Sequence, residues 1–245
     1  MKMIACLIVL LPLFFFTKAQ TRKGRIEAYA TPSLFSTQLS NDSLVPPKRR
    51  GTTRLGDVSC FGLQYGVPIT SHLLVKAGIG YTIRHFSMNK YGLDDFFTAL
   101  FAFDSSPRKD SFAISNVRYT NRYVEVPLSV SFGSNNLSKR LHLNYGMNVR
   151  LQFLIKSNVT IIPDATASFI LPAEMAQIQH AYTKDMNSFV LAVEPFMDVN
   201  MRIYKGAGVY FRCKPFALYA SPLSSRVTKG EAEFLGTGFG IWYQF

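Results

Sequence analysis

The sequence predicts an all-β fold, an eight-stranded antiparallel up-and-down barrel that crosses a membrane with its strands. Three observations predict it. Apolar and polar residues alternate with a period of two along most of the chain, the pattern of strands whose two faces meet different surroundings. The polar connections between these strips are alternately short and long. The chain also closes on an aromatic strip, Glu231 to Phe245. There Phe245, Tyr243, Ile241, Phe239, Thr237 and Leu235 share one face, and Gln244, Trp242, Gly240, Gly238 and Gly236 share the other.

In chain order, Met1-Lys2-Met3 is followed by an apolar run from Ile4 to Phe16 and then by Thr17-Lys18-Ala19-Gln20. A basic start, a short apolar stretch and a small residue at its exit predict a secretory signal peptide over residues 1–19. The run is shorter than the roughly twenty residues a spanning helix needs. Residues 20–245 then form one barrel domain.

Its first strip is Ile26 to Phe35. In the second, Phe61, Leu63, Tyr65 and Val67 alternate with Cys60, Gly62, Gln64 and Gly66. The third sets Leu73, Val75, Ala77, Ile79, Tyr81 and Ile83 against Lys76, Gly78, Gly80, Thr82 and Arg84. The fourth lies between Tyr119 and Phe132, with Val124, Val126, Leu128, Val130 and Phe132 as its apolar face. The fifth, Leu141 to Ile155, is the clearest; His142, Asn144, Gly146, Asn148, Arg150 and Gln152 face away from its apolar row, and Leu154 breaks the pattern. Phe189 to Ile203 is the sixth, Val209, Phe211 and Cys213 mark the seventh, and the terminal strip is the eighth. Strips this long exceed ordinary strands of five or six residues and suit tilted strands that cross a bilayer.

Thr70-Ser71-His72, residues 133–139 and Tyr204-Lys205-Gly206 read as tight turns. Residues 36–56, 87–116, 157–188 and 220–230 read as long loops, two of them with helical spacing at 93–103 and 172–186. Short turns on one side and long loops on the other match the periplasmic and extracellular ends of an outer-membrane barrel. A soluble eight-stranded barrel is the competing reading, but its interior would be apolar. Here the faces opposite the apolar rows hold Lys76, Arg84, Arg150, Glu194, Asp198, Arg202, Arg212 and Lys214. An inside-out barrel in lipid accounts for both faces, so the predicted location is the outer membrane.

The formal net charge of +12 falls to about +10 once Lys2 and Lys18 leave with the signal peptide. An exported chain rarely meets nucleic acid, so no such partner is expected. Outer-membrane lipid and lipopolysaccharide phosphates are the expected counter-charges. Of the three cysteines, Cys60 and Cys213 remain in the barrel domain, and no disulfide framework is implied.

Tyr123-Val124-Glu125-Val126-Pro127-Leu128 is the most specific short motif. It resembles the Tyr-x-Glu-(Ile/Val)-Pro-Leu strand of the PorT-like outer-membrane β-barrel family of Bacteroidota. Gly78-Ile79-Gly80-Tyr81 and the glycine-rich aromatic end at 236–245 are similar too, so the resemblance covers nearly the whole barrel domain but not its long loops. It implies an eight-stranded outer-membrane barrel, with no established activity for most members and, in one branch, a part in protein secretion.

The residues of the motif also have a physical reading. With Val124, Val126 and Leu128 toward lipid, Tyr123, Glu125 and Pro127 turn inward. Pro127 lacks an N–H and predicts a local bulge. Glu125 needs a cation, because an unpaired buried charge is costly; Arg150 is the first expected partner and Lys76 the second. Glu194 and Asp198 are expected to meet Arg202, Arg212 or Lys214. Such a network fills a narrow lumen, since eight strands leave just enough room for side chains; the alternative is a narrow channel gated by the same charges.

Other chemistry is sparse. His72, His85, His142 and His180 are scattered, without metal-ligand spacing, and there is no phosphate loop or nucleophile elbow, so neither a metal nor a cofactor is expected. His85 and Ser87 share a face at the rim of the third strip, as in lipid A deacylases, but no outward acid is evident to orient the histidine. Lys48, Arg49, Arg50 and Arg54 form the densest basic cluster, and Phe96, Phe97, Leu100, Phe101 and Phe103 an apolar loop patch. The expectation is a non-enzymatic envelope protein with a structural role or a protein partner bound through its long loops. Phe245, Tyr243 and Phe239 are expected to form the signal read by the barrel-assembly machinery.

Overall fold

The computed structural model describes residues 24–39, 53–89, 114–133, 140–163, 176, 180, 188–220 and 228–245. The signal peptide, the loop cations Lys48 to Arg50 and the patch at 96–103 lie outside the described residues. Within 172–186, Ala176 and His180 are helical.

Eight antiparallel strands close into one barrel in simple up-and-down order. They are β1 (Arg25–Leu39), β2 (Thr53–Pro68), β3 (Leu73–Asn89), β4 (Ile114–Gly133), β5 (Leu141–Pro163), β6 (Phe189–Tyr204), β7 (Ala207–Ala220) and β8 (Thr228–Gln244). β8 pairs with β1, so no edge is left open along the wall. All eight predicted strips are strands, and several run on into segments assigned to loops from periodicity, most of all β4 and β5.

Following ladder partners from Ile26 through Tyr65, Ala77, Leu128, Val149, Val193, Leu218 and Ala232 leads back to β1 at Ser36. The circuit closes ten residues further along the same strand, and this stagger is what tilts the strands. The outward apolar row of β3 from Leu73 to Ile83 then covers roughly 33 Å of strand, or about 25 Å of height, which matches the apolar band of a barrel in an outer membrane.

Exposure settles which face is which. Ile79 is 61% exposed and Phe239 65%, whereas Glu27 and Glu125 are fully buried. A soluble barrel would reverse that order. With no water in the hydrocarbon layer, a closed barrel satisfies every backbone group internally, and its apolar outer wall belongs in lipid. Aromatic pairs mark both rims: Phe132–Tyr145 and Tyr243–Phe245 at the short-turn end, Phe61–Tyr81 and Phe153–Phe189 toward the long loops. The molecule is a transmembrane β-barrel of the outer-membrane kind.

Local chemistry sets the turns. Thr70 Oγ1 accepts the backbone N–H groups of His72 and Leu73 at 3.2 and 3.0 Å. Gly206, at φ +77°, takes the left-handed conformation that favours glycine at the second central position of the turn between β6 and β7. The bulge expected at Pro127 is absent: the β4–β5 register runs unbroken through Pro127↔Arg150. On the β3 side, pairing lapses between Ala77↔Leu128 and Gly80↔Glu125 without a change of register. The missing N–H therefore costs ladder bonds but inserts no residue.

Phase shifts occur elsewhere. Arg122 pairs with Lys156 but Tyr123 with Leu154, so Ile155 is an extra residue on β5. Ala30 pairs with Phe239 but Leu34 with Phe234, so β8 also carries one, at Leu235, whose φ is +50°. β7 gains its own between Cys213 and Leu218. Because the β7 and β8 insertions lie side by side, the register between those two strands is preserved.

Candidate functional site in the barrel lumen

The inward faces build a single polar interior. Six cations (Arg25, Lys76, Arg84, Arg150, Arg212, Lys214) and five anions (Glu27, Glu125, Glu194, Asp198, Glu233) are buried there among the described residues. The signs nearly cancel, so the lumen has little need of mobile counter-ions.

Arg150 is the hub of the half nearer the long loops. Its guanidinium reaches three carboxylates from three strands: Glu125 Oε2 at 3.4 Å on β4, Glu194 Oε2 at 3.0 Å on β6, and both oxygens of Glu233 at 3.1 Å on β8. Nη1 also lies 2.7 Å from Cys60 Sγ, and Nη2 donates to Tyr219 Oη at 3.1 Å. Lys214 Nζ bridges Glu194 and Glu233 at 3.2 and 3.4 Å.

Glu125 accepts from Tyr29 Oη at 2.7 Å, Thr82 Oγ1 at 2.6 Å and Gln152 Nε2 at 3.0 Å in addition to Arg150. Arg84 donates to Gln152 and packs its guanidinium over the rings of Tyr123 and Tyr219, 4.6 and 4.2 Å from their centroids. Cations desolvated over aromatic faces keep favourable electrostatics where water is excluded.

Two glycines make room for this arrangement. A Cβ at Gly80 would collide with Tyr29 Oη and lie 2.8 Å from Glu125 Oε1, and one at Gly62 would meet Tyr29 Oη at 2.8 Å. The Gly-Ile-Gly-Tyr stretch of β3 is therefore the floor on which the Tyr29–Glu125 bond rests.

The half nearer the short turns is a second cluster. Arg212 holds Asp198 through two bonds, Nε–Oδ1 at 2.7 Å and Nη2–Oδ2 at 2.8 Å, and lies 4.1 Å from the centroid of Phe196. Glu27 sits between Arg25 at 2.7 Å and Lys76 at 2.9 Å. Arg25 also packs over Trp242 and donates to Asn200 Oδ1 at 2.7 Å. Gln64, Ser129, Asn148 and Glu194 form a hydrogen-bonded chain that leads from the first cluster across β5 and β4 to β2.

The structure thus joins most of the residues expected inside. Arg150 is the partner of Glu125, while Lys76 instead serves Glu27. Asp198 meets Arg212, and Glu194 meets Lys214 and Arg150. Arg202 is only half-buried, near the β6–β7 turn, and takes no part in the Asp198–Arg212 pair. Tyr123 and Pro127 point inward and Leu128 outward, as expected.

Sequence reasoning missed Glu233, Glu27 and Arg25. Strict alternation back from Phe245 sends Glu233 into lipid; the insertion at Leu235 sends it inward. A glutamate in an otherwise lipid-facing row was the available signal. Cys60 faces the lumen and Cys213 the exterior, and both are free thiols.

At the rim, His85 is exposed and its Nδ1 lies 3.1 Å from Thr120 Oγ1 of the next strand. Asp57, also exposed, is the direct ladder partner of His85 on β2. An outward acid is therefore present beside the histidine, contrary to expectation. Among the described residues no group of three or more His, Cys, Asp or Glu side chains could hold a metal ion.

These features define a membrane-spanning barrel with a charged, internally bonded lumen. No family model and no curated protein matches the chain. Among solved structures it is similar to Neisserial surface protein A at 9% identity and a TM-score of 0.40, over 91% of this chain and 97% of that one. The outer membrane protease OmpT from Escherichia coli gives 8% identity and a TM-score of 0.39, over 93% and 98%. The outer membrane protein W of E. coli gives 9% and 0.35, over 89% and 97%. Likenesses this distant carry no argument about function, and the fold rests on the closed ladder itself.

Proposed function

We propose that this protein is a non-enzymatic outer-membrane barrel whose lumen is a structural plug and whose work is done by its long loops, as an envelope component or as the membrane anchor of a protein partner. The observation that supports this most is the Arg150 hub, which ties β4, β5, β6 and β8 together across the lumen with every charge answered by another. A conducting pore is served poorly by such an interior, because an ion would have to displace bonded, oppositely charged side chains in a space with room for little else. Resemblance to the PorT-like family of Bacteroidota belongs to the same reading. Its Tyr-x-Glu-x-Pro-Leu strand supplies Glu125 to the hub and Tyr123 to the face of Arg84, and a tie to protein secretion would be the finer form of the proposal.

The test is crosslinking in intact envelopes. A specific protein should be recovered with the wild type and lost on shortening residues 90–113 or 164–187, while the shortened barrels keep their heat-modifiable migration on gels. Full envelope function in both shortened forms would overturn the proposal.

A lipid-facing hydrolase is the second reading, favoured by the placement of Asp57 opposite His85. An acid in that position could orient the histidine toward Ser87. Against it, His85 Nδ1 is engaged by Thr120. The hydrolase reading requires a change in lipid A mass between wild type and a Ser87→Ala strain; identical spectra would remove it.

A further inference from the structure

The extra residue at Ile155 has a consequence on the outer wall. Alternation from Leu141 would carry Lys156 into the lumen, but the insertion turns it outward, directly opposite Arg122 of β4. Bulges are a recurrent means of re-aiming a side chain. Like charges facing each other across neighbouring strands repel. Lys156 is exposed, and Arg122 is half-buried with its Nε lacking a hydrogen-bond partner among the described residues. No described carboxylate pairs with either.

The same outward face extends the cationic character. Arg118 is exposed two positions beyond Thr120, opposite Thr160, and Thr120 is opposite Asn158. These residues begin where the apolar rows stop, directly past Val124 on β4 and Ile155 on β5. They therefore stand at the headgroup level of the leaflet on the long-loop side.

We propose that this face is a binding site for the phosphorylated headgroup of an outer-leaflet lipid of the lipid A type. Arg122 and Lys156 share one phosphate, and Arg118 engages a second anionic group further from the bilayer centre. A phosphate between them turns the Arg122–Lys156 repulsion into two charge-assisted contacts, with the guanidinium able to donate two parallel bonds. Thr120 and Asn158 supply neutral hydrogen-bonding groups suited to a sugar. The site rests on the outer-membrane reading above, and it adds the place on the wall where such a phosphate is held and the residues that recognise it.

The test uses the full barrel refolded in a neutral detergent, with purified bisphosphorylated lipid A as the probe and retention read by native mass spectrometry. Wild type should retain lipid A, and enzymatically dephosphorylated lipid A should be retained about tenfold less. The double variant Arg122→Gln/Lys156→Gln should lose the preference for the phosphorylated form. A control variant at the opposite end, Arg140→Gln/Lys205→Gln, should keep it. Each single variant and Arg118→Gln should show a partial loss, which keeps the test informative if the double variant fails to refold.

Equal retention of both lipids by wild type, or an undiminished preference in the Arg122 and Lys156 variants, would overturn the site. So would displacement of lipid A by an equal concentration of inorganic phosphate, since that describes a simple anion site. Failure of the outer-membrane reading looks different: the protein would be recovered free of membrane and show no heat-dependent gel shift.

Discussion

Arg150 shows at the scale of one residue why the interior is specific. Its guanidinium is the shared cation of Glu125, Glu194 and Glu233, so no one of these carboxylates is left to face the others without it. Burying charges is expensive, and removing one partner from such a set costs more than replacing the whole set with apolar groups. Arg150→Met should therefore lower stability by roughly 3–5 kcal/mol, measured as the urea midpoint for loss of the heat-modifiable form in detergent. Glu125→Gln should cost less, because Tyr29 and Thr82 still find an acceptor at that position. Gly80→Ala is the complementary case: the added methyl intrudes on the Tyr29–Glu125 bond and should cost roughly 1–3 kcal/mol by overpacking. A Gly80→Ala barrel as stable as wild type would show that the bond is not what holds this layer.

Strands can be read from periodicity, but their phase cannot, and the inserted residues are the reason. Alternation identified all eight strands and the inward placement of Lys76, Glu125, Arg150, Glu194 and Asp198 because each of those strips is regular on both sides of the charge. Carried further along the chain it would misplace Glu233 and Lys156, because one extra residue, at Leu235 and Ile155 respectively, exchanges the faces beyond it. Neither position is a glycine or a proline, so no residue type announced the change. The insertion at Leu235 holds a leucine at φ +50°, a conformation that costs an L residue roughly 1–2 kcal/mol and persists because it delivers Glu233 to Arg150 and Lys214. Pro127 misled in the other direction, since a lost donor was read as a lost register.

Deleting Leu235 tests the element directly. The deletion should turn Glu233 toward lipid and abolish refolding into the heat-modifiable form, whereas Leu235→Gly should refold at least as well as wild type. The end of β8 makes a separate prediction. Phe245 is bonded through its N–H to Gly24 O at 3.0 Å but leaves its ring outside the wall. Removing Phe245 should slow assembly in cells, followed by pulse-chase, while refolding of the purified protein in detergent stays near wild type.

The whole molecule combines two opposite solvents. The exterior is apolar over the height of a bilayer, the interior holds nearly equal numbers of buried cations and anions, and eight strands leave space for side chains and little more. Fold and compartment follow from that inversion, which is why both were legible in the sequence. The task was not, since the loops that would carry it offer only short helical spacings at 93–103 and 172–186 and no motif with a mechanism of its own. A bonded plug in the lumen can be read out by planar-bilayer recording of the refolded wild-type protein. The membrane should stay silent, with conductance steps appearing only when the hub is removed in Arg150→Ala. Steady ohmic conductance in the wild type, altered by Glu125→Gln, would contradict it.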